Sequence, residues 1–463
     1  MSRTPQHNTL SVTGLMALVI GQLLPQIDFS IVNVALEVMG QSLHTNAAGL
    51  VLIVSLYGLS FAALITTGAR LGNRYGRKKV FLIGVAGFCI ASAVCGIATG
   101  LMSMLLGRWF QGVFAALLLP QILATIHATL EGEPHRRAVG IYTAVAGLAV
   151  VIGQVLGGWL VSANLWDLSW RVAFFINIPL CVLILLVGSR VIPETQAETA
   201  QPMDIGGICW FVSSLSLLLV PVTLGREWPY LWWLIIGVLP SAYLLWRFES
   251  AQEKSGRFPI LPPSLFKKPL VVHGFISEAT VTFTYPGYLF VTALCLQNAF
   301  GFSPRQSGNT FIALGMLFFL GSLLSKPLSN KLGDTTSYLI GALFTVVGFS
   351  ITIMLIQNNP QELSYYQLWC GTGAVGLGNA LMLTSAFRIT LVSVDKQHAG
   401  EASSALVTIQ QGCFALGTAF AGSVYAAMSS HGYSAITLTL ALLSILLMSV
   451  GGINAWYTYR RAR

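Results

Sequence analysis

Three charged side chains interrupt long apolar stretches of this 463-residue chain: Asp28 in "LPQIDFSIVNVALE", Arg108 in "LLGRWFQGVF" and Glu278 in "HGFISEATVTF". The run that holds Asp28 begins near Val12, so at 1.5 Å per residue the carboxylate lies about 24 Å along a helix. That is past the midplane of a hydrocarbon core about 30 Å thick. A charge at such depth costs about 2.5–3.5 kcal/mol on insertion scales, which points to a functional offset. An apolar setting favours the neutral carboxyl and a cation favours the carboxylate, so a proton and a cationic substrate would compete for one group. That competition is the chemistry of antiport. The structural alternative is a carboxylate satisfied by the neighbouring Asn33 or by backbone. Glu278, about ten residues in from Lys268, is a second candidate for proton and substrate coupling, and Arg108 needs a partner in the protein interior. Phe283, Tyr285 and Tyr288, just beyond Glu278, are candidate cavity aromatics able to meet a lipophilic cation through cation–π attraction.

A second group of residues suggests a conformational device. "LGNRYGRKKVFLIG", Leu71–Gly84, places four cations within a chain that is 9% charged. Gly68, Gly72 and Gly76 read as a tight link between two membrane spans, with Arg74, Arg77, Lys78 and Lys79 anchoring it at the cytoplasmic face. Pairing of those cations with the C-termini of neighbouring helices would make the link a latch; a topology anchor alone is the plainer reading.

These groups need a scaffold of membrane helices. The composition is 55% hydrophobic with mean hydropathy +0.73, and apolar runs of about twenty residues recur from end to end. The reading is an all-α polytopic membrane protein. Fourteen spans are expected, near 12–38, 46–68, 79–99, 101–129, 137–162, 170–190, 204–224, 229–248, 270–298, 306–325, 337–356, 364–390, 400–427 and 432–458. With both termini cytoplasmic, 21 of the 25 Lys and Arg fall on the cytoplasmic side, Arg171, Arg226 and Arg305 fall outside, and Arg108 lies within a span. The formal charge of +9 is thereby explained by topology, which removes the case for nucleic acid. The seven cysteines lie in apolar segments with no CxxC, so metal and disulfides are not expected. Trp210, Trp228, Trp232, Trp233 and Trp246 suit an interfacial belt.

The chain also repeats. Shifted by 257 residues, Leu71, Asn73, Gly76, Leu82, Ile83 and Gly84 match Leu328, Asn330, Gly333, Leu339, Ile340 and Gly341; shifted by 264, Gly153 and Gly158 match Gly417 and Gly422. The expected organisation is two six-helix pseudo-repeat halves, 1–198 and 270–463, with two additional helices in 199–250 and a charged, proline-rich cytoplasmic loop in 251–269. Two such halves suit alternating access to a midplane site.

At these residues the sequence resembles the major facilitator superfamily and, within it, the fourteen-span drug:proton antiporters of the EmrB/QacA-like kind. "GARLGNRYGRKK" (Gly68–Lys79) is similar to the loop 2/3 signature and "GRWFQG" (Gly107–Gly112) to the span 4 signature. "GQVLGG" (Gly153–Gly158) is similar to the antiporter signature of span 5, while "DFSIVNVAL" and "WRVAFFINIP" resemble the fourteen-span branch. The resemblance implies the major facilitator fold, a role for Arg108 in proton transfer or in holding span 1, and a helix seam at Gly147, Gly153, Gln154, Gly157 and Gly158 suited to close packing and sliding. Three residues depart from the pattern. Asn73 replaces the usual Asp and weakens a charge interaction, Gln154 replaces Pro and keeps a backbone donor, and Glu37 replaces the Pro after "VAL".

The function expected is proton-coupled efflux of amphipathic or cationic compounds, in a multi-pass protein of the cell (inner, cytoplasmic) membrane. Export or facilitated movement of one dedicated metabolite remains open. Neither HExxH, GxSxG nor a GxxxxGK[ST] loop occurs, so neither an enzyme nor an ATP-driven pump is expected. No cofactor is expected beyond protons as coupling ion. The expected partners are the bilayer and small amphipathic substrates, with a periplasmic adaptor left open and a monomer otherwise.

Overall fold

The computed structural model describes residues 10–196, 204–257, 259–358, 363–392, 394, 399–428 and 434–462. It is 88% helical, and no strand occurs among the described residues. The apolar runs form α1 (Val12–Ser42), α2 (Ala47–Tyr75), α3 (Arg77–Gly96), α4 (Leu101–Thr129), α5 (Gly132–Ala163), α6 (Asn177–Val191) and α7 (Ile205–Leu224). A 3-10 segment, Pro229–Gly237, leads into α8 (Val238–Lys254), and α9 (Pro269–Asn298), α10 (Ile312–Leu332), α11 (Asp334–Asn358), α12 (Trp369–Val392) and α13 (Ala399–Ala427) follow. The last helix, α14 (Ser434–Leu446), runs through a π-helical turn, Leu447–Gly452, into Ile453–Ala462. Among the described residues thirteen helices are long and apolar enough to cross a membrane; α5 carries a shorter apolar run, Val151–Ala163.

Local chemistry sets several of the boundaries. Ser11, Asn46 and Asp204 cap α1, α2 and α7 by accepting a backbone N–H three residues on. Gly76 links α2 to α3 and Gly333 links α10 to α11, both at positive φ, 103° and 85°, which a residue with a Cβ seldom adopts. These are the two glycines that the repeat pairs. The second pairing also has a structural counterpart: Gly153 lies against Ile27 O of α1, and Gly417 lies against Phe283 O of α9.

α1–α6 pack on one another, α9–α14 do likewise, and the two sets meet along α2 against α13 and α5 against α10. The first of these seams carries hydroxyls: Ser55 Oγ donates to Ala415 O at 3.3 Å, and Thr66 Oγ1 pairs with Ser404 Oγ at 2.9 Å. α7 and α8 lie to the side, α7 touching both α2 and α13. Burial follows this layout, since 89% of the most apolar stretch of α9 is enclosed, against 6% for Pro229–Lys254.

Two sequence expectations need correction. The expected loop at 251–269 begins as helix, because α8 continues through "ESAQEK", a run with good helix formers, to Lys254. Gly68 and Gly72 are not part of a link. They lie inside α2, where a Cβ would come within 2.0 Å of Ala116 O and 1.8 Å of Gln121 Oε1 of α4, so their role is close helix packing.

Candidate functional site

Asp28 and Arg108 face each other between α1 and α4 as an ion pair, with neither side chain exposed. A buried pair of charges needs further hydrogen bonds to hold it, and the neighbouring helices supply them. Asp28 Oδ1 accepts from Gln111 Nε2 at 2.9 Å and from Asn177 Nδ2 of α6 at 3.0 Å. Arg108 Nε donates to Ile53 O of α2 at 3.0 Å, and Nη1 also reaches Gln111 Oε1 at 2.8 Å. Ser92 of α3 ties the amides together, accepting from Gln111 Nε2 at 2.9 Å and from Asn177 Nδ2 at 3.3 Å. Arg108 Nη2 has no hydrogen-bond partner among the described residues, but the guanidinium lies 4.4 Å from the centre of the Tyr57 ring. Tyr57 itself donates to Pro25 O at 3.0 Å, one turn before Asp28. Five helices, α1, α2, α3, α4 and α6, therefore join one network around this ion pair.

Arg108 is the counter-ion of the buried Asp28 carboxylate. Besides Asp28, the guanidinium is held by Ile53 O, Gln111 Oε1 and the Tyr57 ring. Asn33, the neighbour that the sequence suggested as a partner for Asp28, makes no hydrogen bond with its side chain. Gln111, Asn177 and Ser92 escaped the sequence reading. Gln111 carried one signal, lying three residues from Arg108 on the same helix face.

Glu278 is fully buried in α9, with Oε1 accepting from Gln410 Nε2 of α13 at 3.1 Å and Oε2 unpartnered. It makes no ion pair among the described residues. The surrounding threonines are content within their own helix: Thr282 Oγ1 donates to Glu278 O at 2.6 Å and Thr284 Oγ1 to Thr280 O at 3.1 Å. Phe283, Tyr285 and Tyr288 do not line one cavity. Phe283 meets Phe420 of α13, Tyr285 stacks with Phe318 of α10 and Tyr288 stacks with Phe349 of α11. At 3.6 residues per turn the three cannot share a face. A ring pair does lie between the two helix sets: Phe29, next to Asp28, stacks on Phe414 of α13 at 5.5 Å.

At the α2–α3 turn, Asn73 Oδ1 accepts from Arg77 Nη2 at 3.1 Å and Nε at 3.3 Å, and Arg77 Nη1 donates to Ala124 O near the end of α4 at 3.2 Å. Arg74 rests on the Tyr75 ring. The chain after α6 closes over this turn, with Glu194 accepting the Lys78 and Lys79 N–H groups at 3.0 and 3.3 Å. Along α5, Gly153 and Gly157 pack on α1, and Gly158 packs on Pro304 O. Gln154 is buried, and its side chain has no hydrogen-bond partner among the described residues. Gly147 lies within α5, and its surroundings fall outside the described residues.

Residues 18–418 match the profile of the Major Facilitator Superfamily. The chain is 32% identical over 411 residues to the probable actinorhodin transporter of Streptomyces coelicolor, which spans 87% of this chain and 70% of that protein. It is 30% identical over 439 residues to the multidrug resistance protein Stp of Mycobacterium tuberculosis, covering 93% of this chain and 78% of that one. Among solved structures, the peptide transporter POT in complex with sulfate superposes with a TM-score of 0.68 over 96% of this chain and 95% of its own, at 13% identity, a likeness of fold alone.

Proposed function

The chain belongs to the major facilitator superfamily, and from that premise we propose a secondary active exporter that moves amphipathic, often cationic compounds outward in exchange for protons. As a member it is a multi-pass membrane transporter and not an enzyme. The finer reading is the fourteen-span drug:proton antiporter branch in the cytoplasmic membrane, with both termini inside; the asymmetry of Lys and Arg between the two sides supports it. The two six-helix halves, 1–198 and 270–463, would rock about the α2–α13 and α5–α10 seams, with the additional helices riding alongside. Protons serve as coupling ion, no other cofactor is required, and the protein acts as a monomer or with a periplasmic adaptor.

The observation that carries this reading is the buried Asp28–Arg108 pair within its shell of Gln111, Asn177 and Tyr57. In the observed state Arg108 neutralises the carboxylate. Protonation of Asp28 frees Arg108 from α1, and the return of the cation, or of a cationic substrate in its place, expels the proton. Glu278, with one bare oxygen, suits a second carboxyl on the same path. One proton moving down 100 mV yields about 2.3 kcal/mol, enough for a substrate gradient of several tens-fold.

The relative named as a multidrug resistance protein supports a broad substrate range. Gln154 in place of the antiporter proline, together with the relative named for actinorhodin alone, supports the second reading of a dedicated exporter or facilitator. Efflux of ethidium from cells, with and without a protonophore, separates the two. Protonophore-sensitive efflux lost in Asp28→Asn is expected; efflux that ignores the protonophore would favour the facilitator.

A further inference from the structure

Two carboxylates outside the Asp28 and Glu278 sites meet where α7 and α8 pack together. Asp204 caps α7 through Oδ1, which accepts Gly207 N–H at 2.9 Å. Glu249 of α8 holds the segment beyond that helix, its Oε2 accepting Ile260 N–H at 3.0 Å. Each carboxylate thus uses one oxygen. The remaining oxygens, Asp204 Oδ2 and Glu249 Oε1, have no hydrogen-bond partner among the described residues, on side chains of residues only 5% and 1% exposed. Both reach the same spot. A Cβ on Gly207 would lie 2.3 Å from Asp204 Oδ2 and 2.5 Å from Glu249 Oε1, so the two oxygens crowd the same point, which only glycine leaves open.

The charged groups acting on Glu249 are Asp204 of α7 and Arg70 of α2. Arg70 is itself buried and donates to Pro259 O at 3.1 Å, next to Ile260. Glu253, one turn along α8, is directed instead to Ser264 N–H at 3.2 Å. Two carboxylates and one guanidinium leave a buried net charge of minus one, with the two bare oxygens crowded beside Gly207. Like charges so placed do not both stay ionised; one proton removes the repulsion and supplies the donor that both oxygens lack.

We propose that Asp204 and Glu249 form a proton-binding site that holds one proton between Asp204 Oδ2 and Glu249 Oε1, with Arg70 balancing the charge that remains. The site belongs to the two helices that lie beside the six-helix sets. It ties the start of α7, the end of α8 and the Pro259–Ile260 segment to α2, and loss of the proton sets two negative charges face to face at that junction.

The test is infrared difference spectroscopy of the full chain in lipid nanodiscs, titrated from neutral to alkaline pH, for the wild type, Asp204→Asn, Glu249→Gln and the double variant. Asn is as good an N-cap as Asp, so α7 keeps its start. The wild type is expected to lose one protonated-carboxyl C=O band on titration. Asp204→Asn is expected to lose the band at a lower pH than the wild type, because burial still disfavours the Glu249 charge while the repulsion from Asp204 is gone; Glu249→Gln and the double variant are expected to lack the band. If Asp204→Asn loses the band at the same pH as the wild type, or if the double variant keeps it, the shared proton is ruled out. Should Glu249→Gln fail to fold, Asp204→Asn alone decides, since an unshifted band there overturns the proposal.

Discussion

Arg108 of α4 and Asp28 of α1 are each other's counter-ion, 80 residues apart in sequence and wholly enclosed. Neither charge is tolerable there without the other. Removing one partner of a buried pair typically costs about 3–5 kcal/mol, because the survivor stays charged and unpaired. Asp28→Asn and Arg108→Gln are each expected to lower the melting temperature of the purified protein and to abolish transport. The double variant is expected to be more stable than either single while remaining inactive, a coupling that a double-mutant cycle reads directly.

The second carboxylate behaves differently because it makes no ion pair among the described residues. Glu278→Gln keeps the shape and the hydrogen-bonding capacity toward Gln410, so the fold should survive while proton-driven efflux falls. Gln410→Leu instead removes the Gln410 donor to Glu278 Oε1 and is expected to cost about 1–3 kcal/mol, the usual penalty for a buried group left unsatisfied. Thermal melts and ethidium efflux, measured on both variants, separate the two effects.

Gly76 combines φ 103° with the approach of Glu194, whose Oε1 lies 2.6 Å from where a Cβ would stand. Gly76→Ala should destabilise the α2–α3 turn by at least the roughly 1–2 kcal/mol of a left-handed residue. Glu194→Ala removes the contact but uncaps Lys78 N and Lys79 N, so the two losses should not add. Melting temperatures of the singles and the double check this.

Asn73 is a neutral acceptor for Arg77. Asn73→Asp makes those hydrogen bonds charge-assisted, and because the pair is only part-buried the gain is expected to be about 1 kcal/mol or less. A rise in melting temperature accompanied by slower transport would identify the turn as a conformational lock; a rise with unchanged transport would leave it an anchor.

The depth of Asp28, the embedding of Arg108 and the repeat that pairs Gly76 with Gly333 could all be read from the sequence, since each is a local anomaly in an apolar or basic stretch. The pairing of Asp28 with Arg108 could not, because it depends on which helices lie side by side. Gln111, Asn177 and Ser92 gave little signal for the same reason: neutral polar residues are ordinary in membrane helices, and only convergence on one carboxylate gives them a role. Gly68 and Gly72 look like link residues beside a cluster of cations, yet the helix absorbs them because α4 needs to come close. The aromatic trio failed on periodicity alone, and residues 251–254 looked like loop because their charge hid a helix that runs on to Lys254.

The proposed exchange at Asp28 has one direct test. Purified protein in weakly buffered detergent, with a pH indicator, is given ethidium, and proton release is recorded for the wild type and for Asp28→Asn. The wild type should release protons as the cation binds, and the amide variant should bind ethidium while releasing none. Equal release from both would contradict the assignment of the exchanging proton to Asp28.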